Sequence, residues 1–490
     1  METMLKQLIR GKALFFIIVL GIGGSFQNGF HVTVISSPSP YIQDFINRSW
    51  FERYEEPLPK YSLTFIWSAA VSLYGVGGLI GSMCVKYFAG RFGRKGALMW
   101  NDAISIVSAL IMFSSKFLNS FEMVILARFS YGFAAGLGLF VHMMYLGESS
   151  PTKLRGMVTL TSATFFAIGK LSGQLAGLKE FLGHESLWNV LLSVPGILAF
   201  IQLVALQFLP EAPRYLLIDK DNKEMCQKAL QTLWGVGEYK VEIEEMMLEQ
   251  VAIKGQPSKS LVGLLRDHLV RWQLVTIMVI TFSIQFSGLS AIGSFSYSLL
   301  MEAGIPTDKI RYVTLGLGVS EVMTSIVCGF LIDNLGRRSL LWKGFVVMSA
   351  LMALVGLTQL LKGNSYWIPY STVGLIFLFL IFCGGPTGVM PPFSHEIFVQ
   401  SYRPAAFVFS GILRWLGFFI MGMVFPFLLA SLKSFSFLLF ASVCLLGALY
   451  VFFLVPETKG KTLLEISEEF KKIHIYRPSL SKDVVLETRL

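Results

Sequence analysis

The sequence contains few charged residues for its length: only 15% of its 490 residues are Asp, Glu, Lys or Arg. Soluble domains carry about 25% charged residues, because most of their surface faces water. Hydrophobic residues make up 54% of the chain, so much of the molecular surface must face lipid. This composition excludes a large soluble enzyme, a disordered chain and a collagen-like chain.

Cysteine is also scarce, and the five cysteines form no recognisable pattern. Four of them lie in apolar runs and one, Cys226, lies in a charged stretch. No pair has the spacing of a disulfide framework or a zinc site. The sequence also lacks a phosphate-binding Gly-Lys-Ser/Thr loop and a cluster of metal ligands. We therefore predict neither an enzyme nor a bound cofactor or metal.

Long apolar runs are the main feature of the sequence. A membrane-spanning helix needs about 20 mostly apolar residues. Twelve runs of about this length are present, and twelve spans place both termini on one side of the membrane. The runs lie at residues 13–33, 63–86, 97–115, 121–145, 157–179, 187–208, 272–300, 311–333, 339–361, 370–393, 404–430 and 436–455.

A polar stretch divides these runs six and six. The predicted organisation is an N-terminal six-helix half at 1–208, a cytoplasmic helical linker at 209–271, a C-terminal six-helix half at 272–455 and a cytoplasmic tail at 456–490. The fold class predicted from this pattern is an all-α membrane protein with twelve transmembrane helices.

Basic residues indicate the orientation of the spans. The net charge is +10, and membrane proteins concentrate Lys and Arg in cytoplasmic loops, which explains this charge better than a nucleic-acid partner does. Asn47-Arg48-Ser49 is a glycosylation sequon on the face that this rule places outside. The basic residues before the first span and after the second are Lys6, Arg10, Lys12, Lys86, Arg91, Arg94 and Lys95.

The two halves of the sequence repeat each other, which is typical of transporters. Glu148 and Arg155 recur 248 positions later as Glu396 and Arg403. Two further motifs recur at offsets of 243 and 246: Gly93-Arg94-Lys95 as Gly336-Arg337-Arg338, and Pro210-Glu-Ala-Pro-Arg214 as Pro456-Glu-Thr-Lys-Gly460. Three coincidences at nearly one offset indicate duplication of a six-helix unit.

These motifs, in this order, resemble the sugar-porter branch of the major facilitator superfamily. The motifs are Arg91-Phe-Gly-Arg-Lys95, Glu148-Ser-Ser-Pro-Thr-Lys-Leu-Arg-Gly156, Pro210-Glu-Ala-Pro-Arg214, Asp333-Asn-Leu-Gly-Arg-Arg338 and Pro456-Glu-Thr-Lys-Gly460. Within that branch the chain looks most like vertebrate facilitative hexose transporters of the GLUT type.

Gly385-Pro-Thr-Gly-Val389 and Pro391 stand where glucose-selective members carry a proline-rich run that ends in Trp. The chain is therefore similar to the class that includes fructose and urate carriers. The resemblance implies two six-helix pseudo-repeats and facilitative uniport of a hexose, fructose in preference to glucose, by alternating access across the plasma membrane. It implies a sugar substrate and a lipid bilayer as partners and no nucleic acid, and it leaves the oligomeric state open.

Charged residues at matching helix ends predict a gate. Such residues can pair across the cytoplasmic face when the halves close there and separate when they rock apart. The alternative is that they are loop charges and helix caps. The predicted gate residues are Arg94, Glu148, Arg155, Asp333, Arg337, Glu396 and Arg403.

The resemblance also implies a central cavity lined by amides, which suit a sugar because each offers a donor and an acceptor. This chain keeps Gln27 and Gln285 but has Ala163 and Ile284 where the family has Gln. The predicted substrate-binding residues are Gln27, His31, Lys170, Gln285, Ser287, Ser290, Glu321, Arg414 and Trp415.

Several ionisable residues lie deep in apolar runs, where a charge normally faces a cavity or a partner. Lys170 shares a helix face with Ala163 and Gln174, and it either contacts substrate or pairs with Glu321. His142 is either a packing residue or a cavity residue. His31 stands where proton-coupled sugar porters carry Asp, which leaves proton coupling open.

Three function classes remain on these residues: a facilitative sugar carrier, an organic-anion or proton-coupled carrier on the same fold, and a receptor or assembly subunit that does not transport. If Lys170 and Glu321 neutralise each other, Arg414 remains as an unpaired cation in the cavity. A guanidinium meets a carboxylate or a urate-like anion with its planar donor fork. The anion carrier is therefore the main alternative to the hexose carrier.

Overall fold

The structure is a computed structural model that describes residues 11–151, 155–235, 237, 239–255, 260–361, 363, 365–398, 402–458, 461 and 463–474. Helices make up nearly all of this part of the chain, and no strand occurs in it. The predicted all-α class is confirmed.

The N-terminal half contains six helices, of which the third is much longer than the others. They are α1 (Ala13–Val34), α2 (Ser39–Tyr54), α3 (Lys60–Phe117), α4 (Phe121–Ser149), α5 (Arg155–Ala176) and α6 (Trp188–Leu206). Four short helices follow in the predicted linker: α7 (Pro213–Ile218), α8 (Lys223–Trp234), α9 (Lys240–Gly255) and α10 (Leu261–Arg266).

The C-terminal half contains six long helices, and one shorter helix follows them. They are α11 (Arg271–Glu302), α12 (Ile310–Leu335), α13 (Arg337–Leu360), α14 (Ile368–Ile397), α15 (Arg403–Leu432), α16 (Phe435–Leu454) and α17 (Leu463–His474). Nine helices in the described part of the chain are long and apolar enough to cross a membrane, namely all the long ones except α5 and α12. The count of twelve spans stays a prediction, and α5 and α12 lie at two of its positions.

Helix α3 contains two of the predicted spans, and it is broken at Gly93. The backbone of Gly93 has φ +79° and ψ 177°, a conformation that glycine adopts far more readily than other residues. Gly336 has nearly the same conformation, with φ +80° and ψ 151°, and separates α12 from α13. The repeated glycine therefore produces the same turn in both halves.

Helix α2 differs from the sequence prediction, which placed no helix between the first two spans. Only half of its 16 residues are apolar or aromatic, so it contains no apolar run of membrane-spanning length. It is fastened to the start of α4: Arg53 Nη1 lies 2.5 Å from Glu122 Oε1, and Ser49 Oγ donates to Asn119 Oδ1 at 2.6 Å. Asn47 lies on this helix and is exposed.

The packing follows the duplication. Helix α3 packs against α4 and α6 in the first half, and α13 packs against α14 and α16 in the second. The halves meet mainly along two seams, α3 with α15 and α5 with α12. The second and fifth spans lie in α3 and α5, and they correspond to the eighth and eleventh spans, which lie in α12 and α15. The pseudo-symmetry therefore exchanges the seam between α3 and α15 with the seam between α5 and α12.

Two helices that meet between the halves each contain a π-helical turn. In α1 the turn covers Ile22–Phe26 and ends just before Gln27; in α11 it covers Gln285–Leu289. Gly288 in the second turn has φ +98°. Such turns are frequent at functional sites, because they interrupt the regular hydrogen-bond ladder of a helix.

Candidate functional site

The predicted gate residues on the first half form an ion pair that belongs to a larger group. Arg94 Nε lies 2.7 Å from Glu148 Oε2, and its Nη2 donates to Oε1 at 2.8 Å. Glu211 accepts hydrogen bonds from the backbone N–H of Arg94 and Lys95 at 2.9 and 3.0 Å. Glu211 therefore satisfies the N–H groups that the turn at Gly93 leaves free.

The second half repeats this group with the matching residues. Arg337 Nε donates to Glu396 Oε1 at 3.0 Å. Glu457 accepts from the backbone N–H of Arg337 and Arg338 at 2.9 and 3.1 Å. We call the two groups clamps: Arg94 and Glu148 of the N-terminal half with Glu211 just after that half, and Arg337 and Glu396 of the C-terminal half with Glu457 just after that half. The side of the molecule that holds both clamps is the basic face.

Each clamp joins one half to the segment directly after it, and neither clamp joins the two halves. Pairing across the halves, expected from the charge pattern for the state in which this face closes, stays a prediction. Arg403 donates to Phe398 O of its own half at 3.1 Å. The side chains of Arg155 and Asp333 lie outside the described part of the structure. Glu211 and Glu457 were not predicted as gate residues, although their repeated Pro-Glu motif was the available signal.

The face opposite the clamps carries polar contacts that do cross between the halves. Ser36 Oγ and Ser296 Oγ lie 2.8 Å apart, and the Tyr297 N–H donates to Ser36 Oγ at 2.9 Å. Arg311 Nε donates to Ser37 Oγ at 3.0 Å. These contacts hold the turn after α1 against α11 and α12 on the opposite face.

Lys170 and Glu321 form an ion pair between α5 and α12. Their side chains are only 11% and 14% exposed. Of the two roles considered for Lys170, the structure contains the pairing with Glu321. Direct contact of either residue with a substrate stays a prediction.

Arg414 lies near the middle of α15, and its side chain is exposed although both neighbours in sequence are buried. Its charge lies within interaction range of Tyr74, which is fully buried in the protein. The guanidinium therefore faces an internal space and not the lipid boundary. In the described part of the chain, no carboxylate lies within 4.0 Å of it, the limit for an ion pair.

The predicted amide ligands lie on α1 and α11. Gln27 is 5% exposed, and its Nε2 has no hydrogen-bond partner among the described residues. Gln285 Oε1 accepts from Ser290 Oγ at 2.7 Å. Ser287 is fully buried, and its hydroxyl donates to Ile284 O at 2.7 Å. The Ser287 hydroxyl is thus engaged by its own helix.

Trp415 and His31 are packed within the protein. The Trp415 ring lies 5.7 Å from that of Tyr74, and its Nε1 has no hydrogen-bond partner among the described residues. The His31 ring lies 4.2 Å from that of Tyr131 and 5.7 Å from that of Tyr74. These contacts favour packing roles, and the predicted substrate role of His31 stays a prediction.

Sequence reasoning missed Arg128, although an Arg inside an apolar run was a usable signal. Arg128 is 1% exposed and lies over the Tyr74 ring at 4.6 Å. Its Nη1 donates to His31 O at 3.3 Å. His142 is fully buried with Nδ1 3.0 Å from Ser25 Oγ, which favours its packing role.

The fold and the site define a multi-pass membrane transporter with two related halves. The family model described as "Sugar (and other) transporter" matches residues 16–470. The chain belongs to this family of the major facilitator superfamily and is not an enzyme.

The relatives support this assignment along nearly the whole chain. Human solute carrier family 2, facilitated glucose transporter member 9, is 41% identical over 451 residues, which are 92% of this chain and 84% of that protein. Rat member 5 is 39% identical over 451 residues, 92% of this chain and 90% of that protein. The fructose and urate class suggested by the sequence fits these two relatives.

A solved structure shows the same fold. The xylose transporter XylE from E. coli in an inward-open conformation has a TM-score of 0.75 and 19% identity, and the match covers 94% of this chain and 99% of that one.

Proposed function

We propose that the protein carries a hexose down its gradient by alternating access, with fructose preferred over glucose. The observation that carries this proposal is the asymmetry of the contacts between the halves. Hydrogen bonds cross between the halves on the face opposite the clamps, whereas the charged clamps on the basic face do not join the two halves. A carrier that is open on its basic face has contacts between the halves on the opposite face. Rocking of the halves breaks those contacts and brings the halves together on the basic face.

The amides on α1 and α11 support a sugar as substrate. Among the described residues Gln27 Nε2 has no hydrogen-bond partner, and Gln285 begins the π-helical turn that contains Gly288. Neutral amides match the donor and acceptor pattern of sugar hydroxyls. The names of the relatives, facilitated glucose transporter members 9 and 5, agree with a hexose. The preference for fructose rests on the motif from Gly385 to Pro391.

Uptake into proteoliposomes tests this proposal. Purified protein should give saturable uptake of labelled fructose that exceeds uptake of glucose. Gln285→Leu should raise KM for fructose several-fold, because it removes an amide beside the cavity. Gln359→Leu is the matched control, since it replaces a buried amide of α13, away from the seams. Equal KM values for both variants would contradict the assigned role of Gln285.

A second candidate function is the transport of an organic anion, and Arg414 favours it. The Arg414 guanidinium is exposed and has no carboxylate within 4.0 Å among the described residues, and such a group attracts an anion. Arg414→Asn should then lower uptake of an organic anion such as urate, and Arg414→Lys should retain part of it. Unchanged fructose uptake by Arg414→Asn, with no anion uptake by the wild type, would exclude this candidate.

The proposed setting is the plasma membrane, with both termini and the helices α7 to α10 on the cytoplasmic side. The clamps place basic residues on one face of the molecule, as the positive-inside rule requires of a cytoplasmic face. The opposite face carries α2 and the exposed Asn47. We also propose the division into two membrane-embedded halves, a cytoplasmic linker at 209–271 and a cytoplasmic tail from 456.

A further inference from the structure

The ion pair between Lys170 and Glu321 has a position that the transport proposal leaves unexplained. It joins α5 to α12, so it crosses from one half to the other. The Lys170 ammonium also lies 6.0 Å from the centre of the Phe166 ring. Charges inside a membrane protein carry a high cost and normally mark function.

The pair lies along a seam that is closed toward the opposite face. Glu321 follows the start of α12 by eleven residues, which is about 16 Å along the helix. Between the pair and that face, Gln174 packs directly against Gly318, and the Tyr312 hydroxyl donates to Glu180. The ion pair is thus the innermost polar contact of this seam among the described residues.

Lys170 and Glu321 belong to different halves, so opening of the seam between α5 and α12 would separate them. Residues on the same half stay together during a rigid-body motion, whereas residues on different halves separate when their seam opens. When the opposite face opens, water enters the seam and hydrates both charges. When it closes, the charges lose that water and depend on each other.

We propose that Lys170 and Glu321 form a charge-matched latch that stabilises the state closed on the opposite face. This proposal rests on alternating access, the mechanism of the proposed function. Lys170 and Glu321 then act as positioning residues and not as substrate ligands. Removing one partner leaves the other charge unpaired in the closed seam, so the equilibrium moves toward the state that is open on the opposite face.

A cysteine reporter on a different seam measures this equilibrium without any substrate. Ser296 is 1% exposed and lies against Ser36 of the other half, so Ser296→Cys should react with a polar thiol reagent only when the opposite face opens. Purified protein in lipid nanodiscs exposes both faces to the reagent. The result therefore does not depend on the orientation of the protein.

In this reporter background, Lys170→Met and Glu321→Gln should each speed labelling by about tenfold, within the usual range of coupling between sites. Lys170→Arg should label like the parent, because it keeps the charge. The exchanged pair, Lys170→Glu with Glu321→Lys, should return labelling toward the parent rate. Arg48→Gln is the matched control, because it breaks an exposed ion pair with Glu185 inside one half.

Labelling at the parent rate in both single variants would overturn the latch, as would exchanged charges that label as fast as the single variants. The exchanged and Lys170→Arg variants keep the test decisive if a single variant fails to fold. Fast labelling in the single variants, together with no transport of any hexose by the parent, would support the latch and refute hexose transport. Normal hexose transport by the parent, together with unchanged labelling in the single variants, would support hexose transport and refute the latch.

Discussion

Arg94 meets Glu148 with two of its nitrogens, at 2.7 and 2.8 Å, inside one half of the protein. The pair ties the turn at Gly93 to the end of α4. Arg337 and Glu396 do the same at Gly336 in the other half. Each half thus has a charged clamp that strengthens it as a rigid body, and rigid halves are what a rocking mechanism requires.

The charges of Arg94 and Glu148 should be measurably coupled in the folded protein. Both side chains are largely buried, at 12% and 17% exposure, so solvent screens the pair less than a surface pair. A double-mutant cycle with Arg94→Gln and Glu148→Gln should give a coupling energy of about 1–3 kcal/mol. Thermal unfolding in detergent measures it. Additive effects of the two substitutions would show that the pair contributes no coupling.

Glu211 should stabilise the fold through the turn that it caps. Glu211→Ala leaves the backbone N–H groups of Arg94 and Lys95 without their acceptor, at a cost of about 1–3 kcal/mol. Its unfolding temperature should fall, and Glu457→Ala should behave alike because it caps the equivalent turn. Glu224→Ala, at an exposed position of α8, is the control. Equal unfolding temperatures for all three variants would refute the capping role.

Cys226 in α8 should be chemically inert in the folded protein. Burial raises the pKa of its thiol to about 11, so roughly one thiol in 3,000 is ionised at pH 7.5. Since the thiolate is the reactive form, maleimide labelling at pH 7.5 should be slow and should become fast after denaturation. Equal rates in folded and denatured protein would contradict the buried position.

Asn47 should carry a glycan when the protein is made in mammalian cells. It is exposed on α2, and the proposed topology places α2 on the outer face. Treatment with an N-glycosidase should lower the apparent mass, and Asn47→Gln should remove that change. If the wild type shows no change in mass, or if a terminal tag is reachable from outside intact cells, the proposed topology is wrong.

The sequence contained enough to predict the fold and part of the site. Apolar runs and repeated motifs are local properties, so the helices and the matching turns at Gly93 and Gly336 could be anticipated. The helix face that Lys170 shares with Ala163 and Gln174 favoured a position of Lys170 against a cavity or a partner. Its pairing with Glu321 stayed one of two alternatives, because only the packing of α5 on α12 brings residues 151 positions apart together.

Other features could not be read from the sequence for physical reasons. Helix α2 is too short and too polar to form an apolar run of spanning length, and its apolar signal is the narrow stripe of Ile42, Phe45 and Ile46. The Arg128 contact with His31 O depends on how α4 packs against α1. Whether Arg94 pairs with Glu148 or across the halves depends on which face of the carrier is open, and charge pattern alone does not specify that state.

Counterflow of fructose tests the central claim most directly. Proteoliposomes loaded with unlabelled fructose and diluted into labelled fructose should accumulate label transiently above its equilibrium level, because a carrier exchanges substrate across the membrane. In a uniporter this overshoot should persist when a protonophore removes any pH gradient. Absence of an overshoot with every hexose tested, or its loss on adding the protonophore, would contradict facilitative hexose transport.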